Sequence, residues 1–255
     1  MRKRLITLFS ALFLGLTGTV TAAVAAPATA APEAAAPDLV AADGCYTWNR
    51  TLKRGMSGSD VTQLQIRVAG WVASGENLAI DGAYGPATER AVRRFQSGYG
   101  LGVDGVAGPQ TFGKIYELQD DDCTPIHFAY SEFDDNCGAN NFNGGRVSAA
   151  TARENIRRVM WQLEALRHKL GDRPLNITSA FRSVSCNSSV GGSSTSLHMY
   201  GQAADLGLSN PPQCTMWNGG KTAGFEELLG PGYPGHNDHV HMGNKSSRFW
   251  SAPNC

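Results

Sequence analysis

Ser196-Leu197-His198-Met199-Tyr200-Gly201-Gln202-Ala203-Ala204-Asp205 is the stretch on which the reading of the C-terminal half turns. Gly201 permits a turn, and the small Ala203 and Ala204 let the backbone pass close to other groups. His198 and Asp205 are therefore expected at the two ends of a loop entering a strand. Further on, Asp238-His239-Val240-His241 brings another imidazole from a separate strand. Two imidazoles and a carboxylate make a three-ligand site with one position open for water, the arrangement a hydrolytic zinc needs. Isolated His and Asp residues are ordinarily polar loop residues, but four of the six histidines (His198, His236, His239 and His241) fall in or beside these two segments. The expectation is a metallohydrolase with one Zn2+ per chain on His198, Asp205 and His241.

Around this motif the chain reads as a compact α+β fold. The periodicity predicts a long helix from Val147 to Leu170, with Ile156, Val159, Met160, Leu163, Leu166 and Leu170 as its apolar stripe and Gly171 as its stop. Candidate strands are Leu175–Ser179, Ala203–Leu208 and Asp238–Met242, separated by loops rich in Gly, Ser and Asn.

The N-terminal half contains an internal echo. Asp81-Gly82-Ala83-Tyr84-Gly85-Pro86-Ala87-Thr88 recurs as Asp104-Gly105-Val106-Ala107-Gly108-Pro109-Gln110-Thr111. Each copy is a glycine-rich turn with Pro at the first position of a helix. Three helices follow, over Asp60–Ala69, Pro86–Ser97 and Pro109–Leu118, with Leu64, Val92 and Phe95 as core. Nothing in this bundle looks catalytic; Tyr84 and Tyr99 are the aromatics that would stack on sugar or peptide faces. The acidic, proline-bearing segment from Gln119 to Cys137 reads as linker and surface loop. The expected domains are residues 43–123 and 124–255.

Residues 1–42 read as a secretory signal with a possible short pro-segment: Arg2, Lys3 and Arg4, then an apolar run from Leu5 to Leu16 that is short for a membrane span. Export makes disulfides the favoured state of the six cysteines. If each domain folds as a unit, sequential pairing is simplest: Cys45–Cys123, Cys137–Cys186 and Cys214–Cys255. With 22 basic and 22 acidic side chains there is no excess charge to grip nucleic acid or an anionic membrane. A secreted monomer is expected.

The Ser-x-His-x-x-Gly-x-Ala-x-Asp pattern at 196–205, Asp238-x-x-His241, and Ser179-Ala180-Phe181-Arg182-Ser183 together resemble the zinc D-Ala-D-Ala carboxypeptidases and dipeptidases, within the wider group of lysostaphin-type peptidases and hedgehog domains. The echoing half, with Leu52-Lys53-Arg54-Gly55 and Ala91-Val92-x-x-Phe95-Gln96, resembles the three-helix peptidoglycan-binding domain. The resemblance implies a mostly antiparallel sheet with zinc in a cleft, and hydrolysis of peptidoglycan stem peptides ending in D-Ala-D-Ala. It implies Asp238, three residues before the last ligand, as the base, where some relatives carry Glu. An ideal strand, however, puts His239 and His241 on one face and Asp238 on the other, so His239 remains the competing candidate, as in lysostaphin-type relatives. Arg182 is expected to take the terminal carboxylate or polarise the scissile carbonyl, His236 to protonate the leaving amine, and Ser196 to contact substrate. Two alternatives stay open: endopeptidase action on cross-links, and a wall-binding protein whose zinc is only structural.

Overall fold

The computed structural model describes residues 45–134, 137–209 and 211–255; the segment read as a secretory signal, residues 1–42, lies outside them. The N-terminal helices are α1 (Ser59–Val68), α2 (Pro86–Gly98) and α3 (Pro109–Glu117). Leu52, Leu64, Val92, Phe95, Phe112 and Ile115 fill their core, and Trp48 stacks on Phe112. Two buried glutamines explain the echo. Gln65 donates to Asp81 Oδ1, Ala83 O and Thr88 Oγ1 and accepts from Gly82 N. Gln96 repeats the set on Asp104 Oδ1, Val106 O, Thr111 Oγ1 and Gly105 N. Each Asp and Thr of the repeated motif is thus one partner of a buried amide, and the first glycine of each copy, Gly82 and Gly105, occupies positive φ, at 72°, where a side chain would be strained.

The expectation for the two tyrosines is overturned. Tyr84 is only 1% exposed and its hydroxyl donates to Gly105 O at 2.8 Å, which completes the core between the two turns. Tyr99 packs against Trp71 and Phe95 and stacks on His168 at 4.3 Å between centroids. Neither ring is a free platform for sugar.

The acidic segment is also not a linker. Its apolar residues Phe128, Tyr130 and Phe133 enter the C-terminal core, the last two on the short helix α4 (Tyr130–Phe133). Composition hid this, because acids outnumber the three rings in that stretch of sequence. Beyond it, α5 (Ala149–Lys169) begins at Ser148, whose hydroxyl accepts from Thr151 N, and ends before Gly171 at φ 81°. One face of α5 sends Ile156, Met160 and Leu163 onto the sheet, while Trp161 and Ala165 belong to the core of the helical module. Gly70 makes that approach possible, since a Cβ there would lie 2.4 Å from Ala165 Cβ. Arg67, fully buried, ties the same seam: Nε and Nη2 donate to Gln119 Oε1, Nη1 donates to Gln63, and the guanidinium faces Trp48 and Trp161. The module is therefore docked through a common core, not tethered.

The sheet has five strands in the order β1-β2-β4-β3-β5, namely β1 (Ile177–Ser179), β2 (Ala203–Gly207), β3 (Glu227–Leu229), β4 (His239–Gly243) and β5 (Phe249–Ser251). All pairings are antiparallel except β3 with β5. Sequence anticipated β1, β2 and β4; β3 and β5, three residues each, escaped it, as did α6 (Val184–Ser189) and α7 (Gln213–Gly220). Register fixes the site. Asp205 lies opposite His241 and Gly207 opposite His239, while Ala204, Leu206, Val240 and Met242 turn to the core beneath α5. The three disulfides are Cys45–Cys123, Cys137–Cys186 and Cys214–Cys255.

Candidate metal centre

Three elements converge on one point. A single 3-10 turn, Leu197–Tyr200, carries His198, and Gly201 at φ 67° ends it. No side chain fits at that glycine, because its Cβ would meet Ala152 O at 2.5 Å. The chain then enters β2 and delivers Asp205, and β4 delivers His241 from directly across the strand pair. His198, Asp205 and His241 are all buried. His198 Nε2 lies 3.2 Å from Asp205 Oδ1 and 3.1 Å from His241 Nδ1, and His241 Nδ1 lies 2.9 Å from Asp205 Oδ1.

That triangle fits a tetrahedral ion. Ligands about 2.0–2.1 Å from zinc stand roughly 3.3 Å from one another, close to the three observed edges. Among the described residues the group numbers three, His198, Asp205 and His241, and it faces a cleft of about 460 Å³. The groups behind the ligands are those such a site requires. His198 Nδ1 donates to Ala180 O, leaving the Nε2 lone pair free, and Arg182 Nη2 donates to Asp205 Oδ2 at 2.7 Å. His241 Nε2 stands 3.4 Å from Glu227 Oε1.

Charges follow from these contacts. Burial alone would raise the Asp205 carboxyl, but the His198 and His241 imidazoles hold it well below the usual carboxylate range. Burial pushes His198 down and keeps it neutral. It also opposes charge on His241, yet Asp205 and Glu227 outweigh it and raise that group to about 9.

The remaining sequence candidates line the same cleft, apart from Asp238. His239 points inward, with Nε2 3.9 Å from Asp205 Oδ1 and Nδ1 2.8 Å from Asp238 Oδ1. The side chain of Asp238 is 81% exposed against 21% for His239, so the carboxylate sits behind the ring and not over the trio. Strand alternation predicts this arrangement. The His236 ring lies 4.7 Å from His239 between centroids, and its Nδ1 donates to Pro234 O; burial pushes His236 down. Arg182 already uses Nε on Ser179 Oγ and Nη2 on Asp205, while Nη1 makes no hydrogen bond among the described residues. Ser196 stands at the rim as the residue before the 3-10 turn. Sequence reasoning missed Glu227, whose three-residue strand gave no periodic signal.

Comparison with known proteins agrees with this geometry. Residues 126–243 match the peptidase M15 family, and residues 57–115 match a putative peptidoglycan-binding domain. A zinc D-Ala-D-Ala carboxypeptidase of Streptomyces albus G is 55% identical over 215 residues, covering 84% of each chain. Among solved structures, a peptidoglycan-binding protein of Clostridioides difficile is 37% identical over 26% of this chain and 39% of its own, with a TM-score of 0.23. A fused zinc-dependent amidase/peptidase with a peptidoglycan-binding domain, from Clostridium acetobutylicum, is 34% identical over 26% of this chain and 28% of its own, also with a TM-score of 0.23.

Proposed function

The chain belongs to the peptidase M15 family, and we propose that it is an exported zinc carboxypeptidase that removes the terminal D-Ala from peptidoglycan stem peptides ending in D-Ala-D-Ala. The observation that carries this reading is the His198–Asp205–His241 triangle at the floor of an open cleft, with an inward-facing imidazole beside it. Zinc bound by these three residues supplies a Lewis acid for the scissile carbonyl and lowers the pKa of a water.

The protein's own groups do the rest. His239 is the base: its Nε2 accepts the proton of the attacking water and afterwards gives it to the leaving amine. Asp238 accepts from His239 Nδ1–H, fixing the ring and stabilising its charged form, in the manner of a carboxylate behind a catalytic imidazole. The sequence expectation had these two roles in the other order. His236, held through Nδ1–H by Pro234 O, lies tilted beside His239 and keeps an uncharged Nε2, which accepts a hydrogen bond from a substrate N–H. Arg182 anchors Asp205 through Nη2, is braced by Nε on Ser179 Oγ, and offers Nη1 to the terminal carboxylate of the substrate. Ser196 contacts the substrate backbone at the rim.

The helical module holds the wall polymer. Its shared core with α5 makes it a fixed guide beside the cleft, so the geometry of presentation, and not only effective concentration, favours the substrate. An open three-ligand site speaks against a purely structural zinc, which would take a fourth ligand from protein. A free stem pentapeptide and cross-linked muropeptides, each incubated with the zinc-loaded protein, test the reading. Release of D-Ala from the pentapeptide, lost with a chelator and restored by zinc, is expected. Cleavage confined to cross-links, or full activity after metal removal, would sink it.

A further inference from the structure

We propose that Glu227 is a positioning residue of the metal site: it receives the Nε2–H of His241 and so turns Nδ1, with its lone pair, toward the metal. The proposal rests on the reading that His241 is a zinc ligand.

Each ligand of the trio needs something behind it, because an imidazole can coordinate through either nitrogen and the other one decides which. His198 has Ala180 O and Asp205 has Arg182. For His241 the far nitrogen is buried and makes no hydrogen bond among the described residues, and the group that approaches it is Glu227 Oε1, at 3.4 Å. A buried N–H facing nothing is destabilising, so the carboxylate is the group that makes this tautomer acceptable.

The backbone is arranged for the meeting. Across the β3–β4 pair Glu227 stands opposite Gly243 and Leu229 opposite His241. Glu227 is therefore the diagonal neighbour of His241 on the cleft face, within reach of a long side chain. Gly243 lies between them, and a Cβ there would stand 3.1 Å from His241 Nε2 and 2.6 Å from Leu197 Cδ1. Any side chain at 243 would press on the very nitrogen that Glu227 addresses. The second carboxylate oxygen is not left idle: Lys245 Nζ pairs with Glu227 Oε2, which keeps Oε1 directed at the ring. Glu227 is mostly buried and lines the cleft, and neither its short strand nor its place in the family motifs draws attention to it.

The test uses the full chain, with zinc affinity read by competition against a chromophoric chelator and histidine protonation read by nitrogen NMR of the zinc-loaded protein. Glu227→Ala should weaken zinc binding about 10–100-fold. Glu227→Gln, which keeps an acceptor oxygen, should recover most of that loss, and Lys245→Met should lose less than the alanine variant. In the wild type His241 Nε2 should carry the proton. Wild-type zinc affinity in Glu227→Ala would overturn the proposal. An unprotonated Nε2 in the zinc-loaded wild type would also overturn it, and that measurement decides the matter should the alanine variant fail to fold. A wild-type chain that takes up no zinc would instead overturn the proposed function.

Discussion

The helical module and the cleft face of the sheet both bury polar side chains, and they do so to opposite ends. Gln65 and Gln96 are almost wholly enclosed, and every donor and acceptor they carry is spent on the turns of the repeat. His198, Asp205 and His241 are enclosed to a similar degree, yet their inner atoms converge on one point about 3 Å from each other. A satisfied buried amide is architecture: it specifies a turn and asks for nothing more. Converging lone pairs backed by outer hydrogen bonds are unfinished without a cation, and this separates a site from a core.

The strongest break in that comparison is at the trio. Asp205→Ala should abolish zinc uptake and turnover together, measured by metal analysis and D-Ala release, and should leave Arg182 without its carboxylate partner. Retention of a full equivalent of zinc would remove Asp205 from the ligand set.

Next comes the imidazole beside the trio. His239→Ala is expected to keep zinc but reduce kcat by about 10²–10⁴-fold, whereas Asp238→Asn, which alters only the group behind the ring, should cost less. If Asp238→Asn proves the more damaging of the two at equal zinc content, the base is the carboxylate and the order of roles proposed here is reversed.

The module should respond in the other currency. Gln65→Ala leaves the Asp81–Thr88 turn without its hub, and a loss of about 1–3 kcal/mol of stability is expected in chemical denaturation, with kcat on a soluble tripeptide unchanged. A change in kcat as large as the one from His239→Ala would contradict the separation of the two regions.

The smallest effect is a pH dependence at their seam. Lys169 Nζ donates to Gly70 O of the module and Thr222 O of the C-terminal domain, and burial pushes it down to about 7. The unfolded chain binds that proton more tightly, so stability should rise with pH between about 7 and the ordinary lysine value near 10.4. The two carbonyls and the Trp71 face 5.0 Å away oppose the trend and keep it modest. Lys169→Met should flatten this part of the stability profile; an unchanged slope would assign it to other groups.

Much of this molecule is written in local sequence. The α5 stripe, the proline-opened α2 and α3, the three disulfide pairs and the two segments bearing the trio are all legible. Periodicity, turn chemistry and ligand spacing act over a few residues and need no partner to be recognised. Four things were settled only by the tertiary structure. Tyr84 entered the core and Tyr99 packed against it because the chain folds back on them, and Phe128, Tyr130 and Phe133 of the acidic segment joined the C-terminal core because they found a hydrophobic surface to cover. Which of Asp238 and His239 faces the metal site followed from the register of β4 against β2, which sends alternate residues to opposite faces. Glu227 reached His241 only because a short strand was added beside β4 with a glycine opposite it. Each of these depends on contacts between segments far apart in the chain, whose choice of partner is fixed by burying apolar surface and pairing backbone groups across the whole domain, and no local pattern encodes it.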